Sequence, residues 1–83
     1  MKKMFISAAL LFTLFACNEK KISPADVPQS VVSGFNTKYP GATDVEWKQE
    51  KEDGKWIYEA EFKADGKKKE AHFDSTGNFL KEE

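Results

Sequence analysis

Cys17 is the only cysteine of the chain, and its thiol has the widest range of chemistry in the sequence. A thiol can attack a substrate, ligate a metal, form a disulfide or accept a lipid. An internal disulfide is excluded because the chain has no second cysteine. Nucleophilic catalysis needs a neighbouring base, and the only histidine, His72, lies in a distant segment. The residues around Cys17 must therefore indicate which use applies.

The segment before Cys17 has the composition of an export signal. A basic start of two lysines is followed by thirteen uncharged residues, fewer than the roughly 20 of a membrane span but typical of a secretory signal. Leu14, Phe15 and Ala16 then precede Cys17 as in a bacterial lipobox, with Phe15 where small or polar residues are commoner. We expect residues 1–16 to be a lipoprotein signal peptide and Cys17 to become a lipidated N-terminus. The alternative is an ordinary signal peptide that leaves a free thiol.

The charge balance argues against nucleic acid as a partner. The 13 basic residues are nearly matched by 14 acidic ones, and all the basic residues are lysine. Without arginine the chain lacks the side chain best suited to bidentate phosphate contacts. The part from Cys17 onward is one small domain, close to the lower size limit for a self-sufficient core.

A polar tether and one helix are predicted after Cys17. Residues 17–26 are polar, and we expect them to hold the domain off the membrane surface. Pro28 suits a first helical turn, and apolar residues then recur at helical spacing, which predicts a helix over about 28–39. The apolar residues of this pattern are Val27, Val31, Val32, Phe35 and Tyr39.

Alternation of apolar and polar residues predicts strands from Thr43 onward. Four such runs are separated by the turns Asp53-Gly54, Asp65-Gly66 and Thr76-Gly77, and Asp-Gly is a strong hairpin signal. The predicted fold is α+β: over residues 27–83, one N-terminal helix packs on a four-stranded antiparallel β-meander.

The turn positions also predict the register of the strands, because a one-residue slip would move every apolar side chain to the other face. The expected cross-strand partners are Val45 with Phe62, Trp47 with Ala60, Tyr58 with Phe73, and Phe73 with Leu80. The expected core consists of Val31, Phe35, Tyr39, Val45, Trp47, Tyr58, Phe62, Phe73 and Leu80.

The same register predicts two features of the opposite sheet face. Glu46, Glu61 and Glu70 form a row that could bind a cation or a lysine-rich partner, although a solvated face is the commoner meaning of such a row. Ile57 and Phe79, with the edge of Trp56, could form a small partner contact. The alternatives are scattered surface residues, which are normal, or a Phe79 that turns inward.

The sequence predicts neither a metal site nor a cofactor. Glu70, His72 and Asp74 point from one strand face, but residues two apart on a strand are separated by about 6.6 Å, which is too far for easy shared ligation. No zinc-type pairing of histidine and cysteine and no calcium loop occur. We therefore expect no enzyme.

Two stretches resemble a known family. "VPQSVVSGFNTKYPGATDVEW" and "YEAEFKADGKKKEAHFDSTGNFL" are similar to the PepSY-like family, described as beta-lactamase-inhibitor-like, over about residues 27–83. Members are mostly small exported or lipid-anchored proteins of Bacteroidetes-type bacteria. The resemblance implies a helix on an antiparallel sheet and a role in binding. The inhibitor itself uses two tandem repeats, whereas this chain has one copy, so dimerisation would be needed to reproduce its surface.

These observations predict a cell-envelope lipoprotein with a single PepSY-like domain that binds an envelope protein or peptide. We expect it in the outer membrane, facing the periplasm, with the lipid as its membrane contact and with homodimerisation left open. A partner could add a strand to an exposed edge, at 43–51 or 78–82. The alternatives are a regulator or inhibitor of an exported hydrolase, or a binder of a small ligand or cation through the outer sheet face.

Overall fold

One helix and a five-stranded antiparallel sheet make up residues 19–83, the part of the chain that the computed structural model describes. The strands follow one another in the sheet in chain order. They are β1 (Glu19–Ile22), β2 (Thr43–Glu52), β3 (Lys55–Ala64), β4 (Lys67–Asp74) and β5 (Phe79–Glu82). A 3₁₀ turn (Pro24–Asp26) and the helix α1 (Gln29–Lys38) lie between β1 and β2. The predicted α+β class is confirmed.

The prediction of four strands was one too few. Residues 19–22, expected within a polar tether, form β1 and pair with β2, so that Glu19 lies opposite Glu50 and Ile22 opposite Trp47. Ile22 is half-buried and packs against the core. Because Ile22 is the only apolar residue of this strand, the short segment shows no alternation that could have predicted it.

Two-residue turns join β2 to β3 and β3 to β4, as predicted. The central residues of both turns have positive φ, which the type I′ hairpin turn requires and which Asp-Gly provides. These residues are Asp53, Gly54, Asp65 and Gly66. The resulting register places Trp47 opposite Ala60 and Tyr58 opposite Phe73, which confirms the predicted pairing in the centre of the sheet.

A bulge near the start of β2 overturns one predicted pair. The register shifts between Thr43 and Glu46, where Asp44 has a φ of 54°. Val45 therefore has no partner in the ladder and does not lie opposite Phe62 as expected. A β-bulge leaves its extra residue unpaired, and Val45 remains half-buried against the core.

A second irregularity removes Leu80 from the expected core. The register between β4 and β5 shifts so that Phe73 lies opposite Phe79 instead of Leu80. The rings of Phe73 and Phe79 are 5.8 Å apart, and Leu80 is 47 % exposed. The extra residue in β5 therefore places Phe79, and not Leu80, against Phe73.

The core lies between α1 and the sheet. Phe35 is at its centre, with its ring in edge-on contact with Trp47, Phe62 and Phe73 at centroid distances of 5.2, 5.1 and 6.2 Å. Such pairs contribute about 0.5–1.5 kcal/mol each beyond the area they bury. Six expected core residues are buried, namely Val31, Phe35, Trp47, Tyr58, Phe62 and Phe73, while Tyr39 is half-buried.

Two glycines let α1 approach the β4–β5 turn. A methyl group on Gly34 would collide with the carbonyl group of Gly77, which itself has a φ of 92°. The Ser30 hydroxyl also donates a hydrogen bond of 3.0 Å to the Ser75 carbonyl. α1 has ten residues, and within residues 19–83 no helix is long and apolar enough to cross a membrane.

Candidate functional site

The sheet face opposite α1, here called the outer face, carries charged side chains in rows across the strands. Glu46 lies opposite Glu61, Glu61 lies opposite Glu70, and Glu70 exchanges two backbone hydrogen bonds with Glu83. The predicted glutamate row therefore exists. Lysines from the adjacent row reduce its repulsion, because Nζ of Lys48 is 3.1 Å from Oε2 of Glu61.

Three ionisable side chains of the outer face are buried even though no helix within residues 19–83 covers them. The exposed fraction is 7 % for Glu50, 2 % for Glu59 and 6 % for His72. They lie on β2, β3 and β4, with Glu59 directly opposite His72. One ligating atom of each lies within 4.8 Å of the others. We call these three residues the buried triad.

Three carboxylates surround one nitrogen of His72. Its Nε2 lies 3.1 Å from Oε2 of Glu70, 3.5 Å from Oε2 of Glu59 and 3.9 Å from Oε2 of Glu83. One ring nitrogen carries at most one hydrogen, so it can form a good hydrogen bond to only one of them. The shortest distance assigns that bond to Glu70.

Glu59 lacks compensation for its burial. Its Oε1 is buried and has no hydrogen-bond partner among residues 19–83. Burial, together with the nearby carboxylates of Glu19 and Glu70, raises the pKa of Glu59 to about 9. Burial and the carboxylates of Glu52 and Glu19 raise the pKa of Glu50 to about 7. Burial removes water from both carboxyl groups and so disfavours their charged forms.

The expected partner contact is not assembled as predicted. Ile57 is buried at 9 % exposure, in the centre of the sheet between Glu50 and Asp74. Phe79 is turned to the helix side by the β5 irregularity, and Nζ of Lys38 lies 4.3 Å from its ring centroid. Trp56 is 42 % exposed, with Lys51 against its ring. Ile57 and Phe79 therefore do not share a surface.

An open depression lies where the glutamate row meets the β2 bulge. Its volume is about 470 Å³, and Glu46, Glu61 and Lys63 are among its lining residues. Nζ of Lys63 lies 4.0 Å from a carboxylate oxygen of Asp44. Since the charges are mixed and exposed, we assign no ligand to it.

The predicted lipidation site lies outside the described residues. It comprises Cys17 and the lipobox residues Leu14, Phe15 and Ala16.

As a possible metal ligand, His72 was considered in the sequence analysis only with Glu70 and Asp74 of the same strand. The residues that approach it most closely include a cross-strand partner, Glu59, which the predicted register also places opposite His72. Asp74, by contrast, accepts hydrogen bonds from Thr76 and Asn78 in the following turn, and it belongs to none of the groups of ligating atoms found among residues 19–83. Cross-strand pairing was the signal that could have found the triad.

No protein-family model matches this chain, and no curated protein or solved structure matches it either. The outer face must therefore be interpreted from its own geometry.

Proposed function

We propose that this chain is a lipid-anchored cell-envelope protein whose PepSY-like domain binds a protein or peptide and catalyses no reaction. The signal-like segment and lipobox before Cys17 support the anchor. The sequence resemblance supports the PepSY-like class, and one helix over an antiparallel sheet is compatible with it. The observation that carries the binding role is the edge of β5, with which no further strand of residues 19–83 pairs.

β5 has the properties of a strand to which a peptide can add. All four of its residues are exposed, including Phe79 at 39 % and Leu80 at 47 %. Glu83 directs its backbone N–H and C=O to Glu70, so the alternation of an antiparallel ladder turns those of Glu82 to the free side. A peptide strand would gain backbone hydrogen bonds there and place apolar side chains against Leu80.

The other candidate edge is covered over part of its length. β1 pairs with Trp47–Glu50. This part of the strand expected at 43–51 is therefore not an edge of the sheet. β1 starts two residues after Cys17, so the chain can extend only about 7 Å between the anchor and the sheet. Four strand spacings of about 4.8 Å separate β1 from β5. An anchor at Cys17 would thus leave β5 accessible, roughly 19 Å across the sheet from the attachment point.

Capture from envelope extract tests the binding role. The full chain carrying Cys17→Ala serves as bait, and Leu80→Asp in that background should abolish capture of the partner. Trp56→Asp is the matched control, because Trp56 is similarly exposed at a different place. Equal capture by the Leu80→Asp protein would exclude β5 as the binding edge, provided that circular dichroism shows both variants folded.

Mass spectrometry of the mature protein tests the anchor. We expect a diacylglyceryl group on Cys17 and removal of residues 1–16. An unmodified Cys17 thiol would contradict the anchor without affecting the test of β5.

A further inference from the structure

Negative charge exceeds positive charge around the buried triad. Six carboxylates lie close together on the outer face, and among residues 19–83 the lysines nearest to them are Lys48 and Lys81. The carboxylates are Glu19, Glu50, Glu59, Glu61, Glu70 and Glu83. Nζ of Lys48 is 3.7 Å from Glu19 and 3.1 Å from Glu61, and Nζ of Lys81 is 2.9 Å from Glu83. The shortest contacts of both lysines are therefore to carboxylates outside the buried triad.

An unpaired oxygen lies inside this cluster. Oε1 of Glu59 belongs to a side chain that is 2 % exposed, and no group in the described part of the chain donates a hydrogen bond to this oxygen. A buried carboxylate without a partner is costly, and buried charges in proteins are paired or coordinate metals. Since the other oxygen of Glu59 is 3.5 Å from His72, the carboxylate is placed against a potential nitrogen ligand.

The distances around His72 match those between ligands of one metal ion. Zinc binds nitrogen and carboxylate oxygen at about 2.0–2.2 Å in tetrahedral geometry, which places its ligands about 3.3–3.6 Å from one another. The separation of Nε2 of His72 from Oε2 of Glu59 is 3.5 Å. Glu50 supplies a third atom within 4.8 Å of both residues. Small side-chain movements would bring the three groups onto one ion.

We propose that the buried triad of Glu50, Glu59 and His72 binds a divalent transition-metal ion of the zinc type. One ion would compensate the charge of the buried Glu59 carboxylate and reduce the repulsion among the surrounding carboxylates. Glu70, which accepts the hydrogen bond of His72 in the described structure, is positioned to contact the ion or a water bound to it. Three protein ligands and an open fourth position correspond to an accessible metal site.

The imidazole ligand determines the class of metal. Calcium and magnesium prefer oxygen ligands alone, and calcium takes six to eight of them. A site of one imidazole and two or three carboxylates suits zinc and its neighbours in the first transition row. The site is formed by three adjacent strands, and therefore it does not depend on the binding role of β5.

Zinc chloride is the probe, and the full chain carrying Cys17→Ala in detergent is the protein, so that no thiol competes. After treatment with a chelator, zinc at about 100 times its dissociation constant should raise the melting temperature by roughly 10 °C or more. Because the chain has a single histidine, NMR signals of the His72 ring should shift during the same titration. Calcium and magnesium should cause neither change.

Glu59→Gln is the test variant, since it preserves the shape and removes the ligating carboxylate. We expect its zinc affinity to fall by more than about 10-fold. Glu46→Gln is the matched control, because Glu46 lies on the same face at the far end of the glutamate row and its side chain is 54 % exposed. Equal zinc affinity in the two variants, unmoved His72 signals, or an equal response to calcium would overturn the proposal.

Discussion

The two faces of the sheet reach similar burial by opposite means. On the face under α1, Phe62 is 1 % exposed and lies among aromatic rings. On the outer face, which no helix of the described residues covers, Glu59 is 2 % exposed and lies among other charged groups. Apolar burial stabilises the fold, whereas burial of an unpaired carboxylate opposes it. The helix-side face therefore stabilises the fold, whereas the outer face contains a destabilising buried group whose cost a bound ligand would reduce.

The largest expected effect is loss of the helix-side core. Phe35→Ala removes a ring that contacts Trp47, Phe62 and Phe73, and we expect it to lower the free energy of unfolding by about 3–5 kcal/mol. A domain of this size has only about 3–10 kcal/mol in total. Urea denaturation followed by tryptophan fluorescence would measure the change. Phe35→Leu, which keeps much of the volume, should cost clearly less; equal losses would contradict a packing origin.

Substitution of Glu59 on the outer face should raise the free energy of unfolding, whereas Phe35→Ala lowers it. Glu59→Met retains the length of the side chain and removes the unpaired carboxylate, so metal-free protein at pH 7 should gain about 1–3 kcal/mol. The same denaturation experiment measures it. A loss of stability would show that Glu59 makes a compensating interaction, and the contrast between the two faces would then fail.

The pH dependence provides a second measurement of this effect. The pKa of Glu59 is raised to about 9 in the folded protein, so the native state holds a proton that the unfolded chain releases. Stability should therefore fall as pH rises from about 4.5 towards 9, and Glu59→Met should flatten this slope. The charged groups that face Glu59 are Glu19, Lys48, Glu50, Glu70 and His72.

Sequence reasoning predicted the helix-side face well and failed at particular irregularities. Alternation and Asp-Gly turns were enough to pair Trp47 with Ala60 and Tyr58 with Phe73. Neither the bulge at Asp44 nor the extra residue that exposes Leu80 leaves a local pattern. Both depend on how the strand ends meet the rest of the sheet.

The outer face was predicted only in part, for a different reason. The glutamate row follows from register alone, and it was found. Burial of Glu59 depends on long side chains that crowd it from neighbouring strands, including Glu19 of the unpredicted β1. Alternation classifies every charged residue of such a face as exposed, and therefore it gives no indication of the triad.

A smaller change at Gly34 tests how α1 is held on the helix-side face. Alanine favours helix by up to about 1 kcal/mol over glycine, but its methyl group would collide with the Gly77 carbonyl, and such overpacking costs about 1–3 kcal/mol. Gly34→Ala should therefore destabilise the domain by about 1 kcal/mol, measured by thermal denaturation. Ser33→Ala, at an exposed helix position, is the control, and a stabilised Gly34→Ala protein would show that the turn can move away.

The smallest expected effect is that of Asp74, an outer-face carboxylate that, unlike Glu59, accepts several hydrogen bonds. Asp74 accepts hydrogen bonds from Thr76 and Asn78, led by that of the Thr76 side chain, and they lower its pKa to about 2. Because the folded pKa is below the unfolded value, this stabilisation is present above about pH 4 and is lost as pH falls towards 2. Asp74→Asn should cost about 1 kcal/mol at pH 7 after allowance for solvent screening, and almost nothing below about pH 2, where the native Asp74 carboxylate is protonated. Asp65→Asn, in the exposed β3–β4 turn, is the control variant. A constant deficit for Asp74→Asn at both pH values would mean that shape, not charge, determines the role of this residue, and the contrast with Glu59 would then rest on burial alone.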